Sequence, residues 1–183
     1  MKPYILFILF STFLVGSQTP ISKSIGEFSE LKIFDRINVE LIESTENKIE
    51  ITGQNITDVS IIQKNELLKI KMDFNKVFNG DKTFIKLFYT KINTIDANEG
   101  AKVFSDSTFK QYELELKTQE GAEISVNADT NILSIKSVTG GVIKASGSTK
   151  SQNIYISTGG VYDAGTLTAM NSKIKIKAGG EAD

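Results

Sequence analysis

The chain has 183 residues, with 21 Lys and Arg against 22 Asp and Glu for a formal net charge of −1. It contains no Cys, His or Trp, and Arg36 is its only arginine. Zinc fingers, thiol nucleophiles, Ser-His-Asp triads and the usual haem or iron–sulfur ligation are therefore excluded, and no concentrated basic surface for nucleic acid is expected.

The first residues read as a signal peptide over 1–17. Lys2 is a short positive region, Tyr4 to Val15 an apolar one, and Val15 and Ser17 are the small residues of a cleavage site before Gln18. The apolar run is too short to span a bilayer, so the mature chain is expected to lack an integral membrane span. Without a cysteine after the run a lipoprotein anchor is excluded. The expected location is the periplasm, outer surface or extracellular space.

From Gln18 onward the pattern is strand after strand, in one domain, 18–183. Ile37, Val39 and Leu41 alternate with polar residues, as do Ile49 and Ile51, then Leu68, Ile70 and Met72. No apolar set recurs at helical spacing between caps, so almost no helix is expected. Residues 18–98 form an irregular first half. Its phenylalanines Phe78, Phe84 and Phe88 are expected to cap the apolar core.

Residues 99–183 repeat. Gly100, Gly121, Gly140, Gly159 and Gly179 open successive segments at intervals of 21, 19, 19 and 20, and the last three are followed by Gly141, Gly160 and Gly180. Three positions after each leading glycine stand Val103, Ile124, Ile143, Tyr162 and Ala182, expected to point inward. A second, aliphatic strand precedes each later corner: Leu114 and Leu116, Leu133 and Ile135, Ile154 and Ile156, Ile174 and Ile176. A period near 20 with short strands predicts a parallel β-solenoid, whose glycines are structural corners needing positive φ or close backbone approach. A β-sandwich with regular strand spacing is the rival fold. The sequence stops at Asp183, inside the first strand of a further coil. That predicts a truncated chain or a last coil covered by something else, since a bare coil is an open edge prone to pairing.

The arrangement resembles the auto-transporter adhesin "head GIN" domain proteins of Bacteroidetes. The resemblance is carried by Phe28, Leu31 and Ile33, by Arg36 to Leu41, by Ile49 to Gly53, and by the Gly-Ala and Gly-Gly corners. It implies export, a right-handed parallel β-helix-like fold and an envelope or extracellular location. No catalytic residue and no cofactor are implied. Asp106-Ser107-Thr108 matches the short O-glycosylation pattern of exported Bacteroidetes proteins, with an ordinary polar turn as the alternative. Asn55-Ile56-Thr57 is a formal N-glycosylation sequon with little meaning in a bacterial source.

Candidate ligand groups are few. Lys173, Lys175 and Lys177 make a basic row, with Lys136 and Lys144 expected on nearby coils. The plain reading is a solvated face with edge protection. Glu113, Glu115, Glu120 and Glu123 form an acidic cluster that could serve as a glycosidase pair. Asp81, Asp96, Asp106 and Asp129 lie near turns and could share calcium. Faces bearing Ser, Thr, Lys, Tyr155 and Tyr162 suit weak contact with envelope glycans or proteins. The expected function is a non-enzymatic binding or structural module; a carbohydrate-active enzyme and a self-assembling envelope protein are the alternatives.

Overall fold

The computed structural model describes residues 19–183, so the expected signal peptide lies outside the described residues. The described chain is almost entirely β-strand. Four short strands open it: β1 (Ile21–Ser24), β2 (Glu30–Ile33), β3 (Asn38–Glu43) and β4 (Lys48–Gly53). Four more follow: β5 (Val59–Lys64), β6 (Leu67–Met72), β7 (Thr83–Tyr89) and β8 (Thr94–Ala97). Then come the long β9 (Lys102–Thr118), β10 (Glu123–Val138), β11 (Val142–Ser157) and β12 (Val161–Ile176), and the short β13 (Glu181–Ala182). Helical structure is limited to two single 3-10 turns, Ile56–Asp58 and Phe74–Lys76.

The repeats stack as a parallel β-solenoid. On one face Val103, Ile124, Ile143, Tyr162 and Ala182 are direct register partners, the inward column expected from the sequence. Alternation along each strand puts these residues inside, where Val103 to Tyr162 are buried. The other face carries the column Leu116, Ile135, Ile154 and Ile174. Beside it runs a column of Ala97, Thr118, Ser137, Ile156 and Ile176. Ile154–Ile156 is therefore stepped by two residues from Leu133–Ile135, because Leu133 pairs with Gln152. The buried hydroxyls are satisfied: Thr118 and Ser137 share a 3.0 Å bond, and Ser137 Oγ donates to the Gly141 carbonyl at 2.6 Å.

The uneven intervals between glycines have a register explanation. Between two shared pairs, β9 runs from Phe104 to Thr108 while β10 runs only from Ser125 to Asn127. Those two extra residues make the 21-residue interval. In the same way β12 runs from Asp163 to Thr166 against Lys144 to Ser146, and the one extra residue makes the interval of 20. The insertions are absorbed as bulges at the bend opposite the corners, and the corners stay in register.

Each corner is a four-residue turn with both central residues left-handed. Glu99, Glu120, Thr139, Thr158 and Ala178 have φ of 48–55°, and the glycine after each has φ of 72–73°. A bond from the fourth residue to the first closes every turn, as from Ala101 N to Asn98 O at 3.0 Å. This is the backbone of a type I′ turn. A further corner, at Asp35 (φ 60°) and Arg36 (φ 63°), contains no glycine. Successive corners are themselves hydrogen-bonded. Arg36 N donates to Glu99 O, Gly100 N to Glu120 O, Gly121 N to Thr139 O, Gly140 N to Thr158 O and Gly159 N to Ala178 O, at 3.0–3.3 Å.

The first half is interleaved with this stack. β2 pairs in parallel with both β6 and β8, and β3 with both β7 and β9. The earliest coil in the sequence, β2 and β3, therefore sits between a later one, β6 and β7, and the regular repeats. The core is closed at that end by antiparallel strands: β4 on β7, β1 on β4, and β5 on β6. Ile49 and Ile51 of β4, with Ile56 of the following 3-10 turn and Phe28, supply the buried cover.

The expected phenylalanine cap is thus corrected. Phe84 and Phe78 are half exposed, and Phe88 lies outward under the Lys48 ammonium, 5.2 Å from the ring centroid. Alternation turns Phe84 and Phe88 outward because Ile85 and Leu87 take the inward positions. Phe78 belongs to the loop between β6 and β7. The buried Asp35 carboxylate anchors that loop by accepting the Met72 and Phe78 N–H groups at 2.9 and 3.0 Å.

The second corner glycines act by close approach. A Cβ on Gly141 would lie 2.6 Å from Thr118 Oγ1, and one on Gly160 would penetrate the Ser137 carbonyl. Gly160→Ala is therefore expected to cost about 1–3 kcal/mol through overpacking, read as a lower midpoint in urea unfolding. A midpoint equal to the parent's would contradict the close approach.

Candidate functional site

A concavity of about 650 Å³ opens at the edge opposite the corners. There β3 and β7 end at Glu43 and Tyr89, whereas β9 continues round the bend. The loop after Tyr89 climbs past the interleaved coil to reach β8, leaving a groove between that loop and β9. Its floor is a stacked pair, Tyr89 and Phe109, with ring centroids 5.5 Å apart. Burial, then the Glu43 charge, pushes the Tyr89 phenol up to about 12, so it stays neutral.

The walls are fixed while the lining is free. Gln111 Nε2 donates to Ile92 O at 2.9 Å, and Asn47 Oδ1 accepts from the Thr90 N–H at 2.9 Å, pinning the loop from both sides. Glu115 accepts from Thr94 Oγ1 at 3.3 Å and pairs with Lys117 at 2.7 Å. Lys91, Asn93, Lys110, Tyr112 and Glu113 also line the groove, and among the described residues none has a side-chain hydrogen bond or ion pair. The Tyr112 ring is 67% exposed at the rim. A flat aromatic beside unpaired amide, carboxylate and ammonium groups suits a ligand with an apolar face and a polar rim.

The structure separates most of the residues grouped in the sequence. Glu113 and Glu115 reach the groove, but Glu120 lies on the corner ridge and Glu123 on the opposite face, bonded to Lys144 at 2.7 Å. Lys144 is accordingly not beside Lys136. Asp96 bonds Asn98 Nδ2 at 3.0 Å, Asp129 accepts from Ser148 at 3.0 Å, and Asp81 and Asp106 lie on other segments. Among the described residues no three acidic side chains converge on a metal-sized space. Tyr162 is buried, its phenol donating to Gln152 Oε1 at 3.0 Å, so it is a core residue and offers no binding face. Ser107 lies half-buried in the β9 bulge, its carbonyl accepting from Ser105 at 3.2 Å. Tyr112, Asn93 and Lys91 were missed because the sequence shows no sign that their segments meet; the alternation that places Tyr112 outward was legible.

The stacked parallel coils define the class, a β-solenoid domain. The chain belongs to the family described as "putative auto-transporter adhesin, head GIN domain", whose model matches residues 27–183. Its fold is shared by the crystal structure of a "putative adhesin" from Parabacteroides distasonis ATCC 8503, with TM-score 0.70 and 20% identity over 90% of this chain and 80% of that one. Another from Parabacteroides merdae ATCC 43184 has TM-score 0.68 and 19% identity over 90% and 79%. A "putative lipid binding protein" from Parabacteroides distasonis ATCC 8503 has TM-score 0.58 and 14% identity over 90% and 81%. No curated protein matches the sequence. Among the described residues no helix is long and apolar enough to cross a membrane.

The corner ridge carries a testable electrostatic conflict. Burial first, then the charges of Asp35 and Glu120, holds the Glu99 carboxyl above its ordinary value. A carboxyl that binds its proton more tightly folded than unfolded favours folding in acid, and that contribution is lost as pH rises through the folded value. Glu99→Gln should raise the thermal midpoint at neutral pH, and the gain should vanish below the carboxylate range. A gain independent of pH would contradict this origin.

Proposed function

We propose that the protein is an exported, non-enzymatic binding module of the cell envelope that holds a glycan in the groove beneath Tyr112. The exposed Tyr112 side chain, which lines one concavity with unpaired Lys91, Asn93, Lys110 and Glu113, carries the reading. A pyranose presents an apolar C–H face to stack on the ring and hydroxyls to meet the amide and charged groups. The groove charges nearly balance, Glu43, Glu113 and Glu115 against Lys91 and Lys110, which favours a neutral saccharide over a strongly charged one. The apolar leader at 1–17 and the adhesin family support export. The interleaved coils support rigidity, because the groove walls belong to hydrogen-bonded strands and a pinned loop.

The test is a glycan array followed by calorimetry on the best ligand. Tyr112→Ala should weaken binding about tenfold, equivalent to about 1.4 kcal/mol, with no change in thermal midpoint because the ring is exposed. Unchanged affinity in that variant would remove the groove from the account. Turnover of the bound saccharide would replace the binding module with an enzyme.

A further inference from the structure

The outer side of the regular coils carries a second surface with its own chemistry. Lys136, Tyr155 and Lys175 are consecutive register partners on β10, β11 and β12, so they stand in one outward column. Lys173 on the same strand and Lys177 directly after its end flank Lys175, since Ile174 and Ile176 take the alternate positions. Asn153 and Ser157 flank Tyr155 on β11 in the same way. All four lysines are exposed, and among the described residues none forms an ion pair. The next lysine down the column, Lys117, is neutralised by Glu115 at 2.7 Å. The tile therefore begins where the pairing stops.

The lysines converge on the tyrosine. Lys175 Nζ is 5.8 Å from the Tyr155 ring centroid. A hydrogen bond from Ser157, then Lys177, Lys175 and Lys136, holds the phenol below its ordinary value. Edge protection accounts for lysines on the last long strand, but not for Lys136 two strands in, nor for an aromatic ring between two unpaired ammonium groups. Lys136 and Lys175 stand two strand spacings apart, about 9.5 Å, with a flat ring midway.

We propose that this tile binds a linear acidic polysaccharide laid across the coils, its carboxylate or sulfate groups on Lys136 and Lys175 and an intervening sugar on Tyr155. A rigid row of cations at fixed spacing complements a polymer with anions at regular intervals. Lysine, a point charge on a flexible stem, meets such groups without the bidentate geometry that arginine imposes. The site is separate from the Tyr112 groove and does not depend on a ligand there.

The experiment uses biolayer interferometry with immobilised polygalacturonate and dextran sulfate, neutral dextran, duplex DNA and phosphatidylglycerol vesicles, at low and high salt. Binding is expected to at least one acidic polysaccharide, to fall steeply with salt, and to be absent for neutral dextran. The double variant Lys136→Gln/Lys175→Gln and the single variant Tyr155→Ala should each lose about tenfold. Lys64→Gln/Lys150→Gln, which removes the same charge elsewhere, and Tyr112→Ala should bind as the parent does. Because bound anions oppose ionisation of Tyr155, its ultraviolet titration should shift upward when the polymer is added. The proposal is overturned by no binding at low salt, by equal losses in the two double lysine variants, or by no loss in Tyr155→Ala. Tighter binding to DNA or vesicles than to either acidic polysaccharide overturns it too, and identifies a different class of partner.

Discussion

The structure depends on one repeated contact, the hydrogen bond from the second left-handed residue of one corner to the first left-handed carbonyl of the next. Left-handed φ costs an ordinary L-residue about 1–2 kcal/mol, and here Glu, Thr and Ala accept it at Glu99, Glu120, Thr139, Thr158 and Ala178. What offsets that cost is local and repeated: a closing bond within each turn and a ladder bond between turns, each worth about 1 kcal/mol net. Fixing the corners fixes the register of both faces. The bulges in β9 and β12 can then vary at the far edge without disturbing the inward columns.

The ladder also explains how an out-of-order coil fits. Asp35 and Arg36 reproduce the corner conformation without glycine, and the Arg36 N–H joins the ladder at Glu99. The Asp35 carbonyl receives Gly80 N at 3.0 Å from the loop below, while its carboxylate holds Met72 and Phe78. One residue thus links the repeat stack to the cap. The same interleaving makes the groove, since β7 must bypass the β2–β3 coil to reach β8 and its connecting loop forms one wall. Groove geometry and chain topology share a cause.

The periodic part of the fold was legible because it is local. Glycine spacing and alternation identified the inward positions Val103, Ile124, Ile143, Tyr162 and Ala182, which the register confirms. The corner at Asp35 was hidden by its lack of glycine, since backbone conformation can be imposed by neighbours rather than by residue type. The coil order was hidden because strand pairing between β2 and both β6 and β8 leaves no periodic trace. That also explains the error over Phe78, Phe84 and Phe88: an aromatic-rich segment reads as core until it is known which residues alternate inward. For the sites, the lysine row was visible, but its meeting with Tyr155 required the exact register between β11 and β12. The groove needed three segments distant in sequence and could not be assembled from any one of them.

Amide hydrogen exchange tests the corner ladder most directly. The account predicts that the amides of Arg36, Gly100, Gly121, Gly140 and Gly159 exchange as slowly as the buried strands beside them, opening only with the stack. Gly179, whose N–H has no partner among the described residues, should exchange at the rate of an exposed turn. Fast exchange at all six positions would contradict the claim that the ladder holds the coils in register.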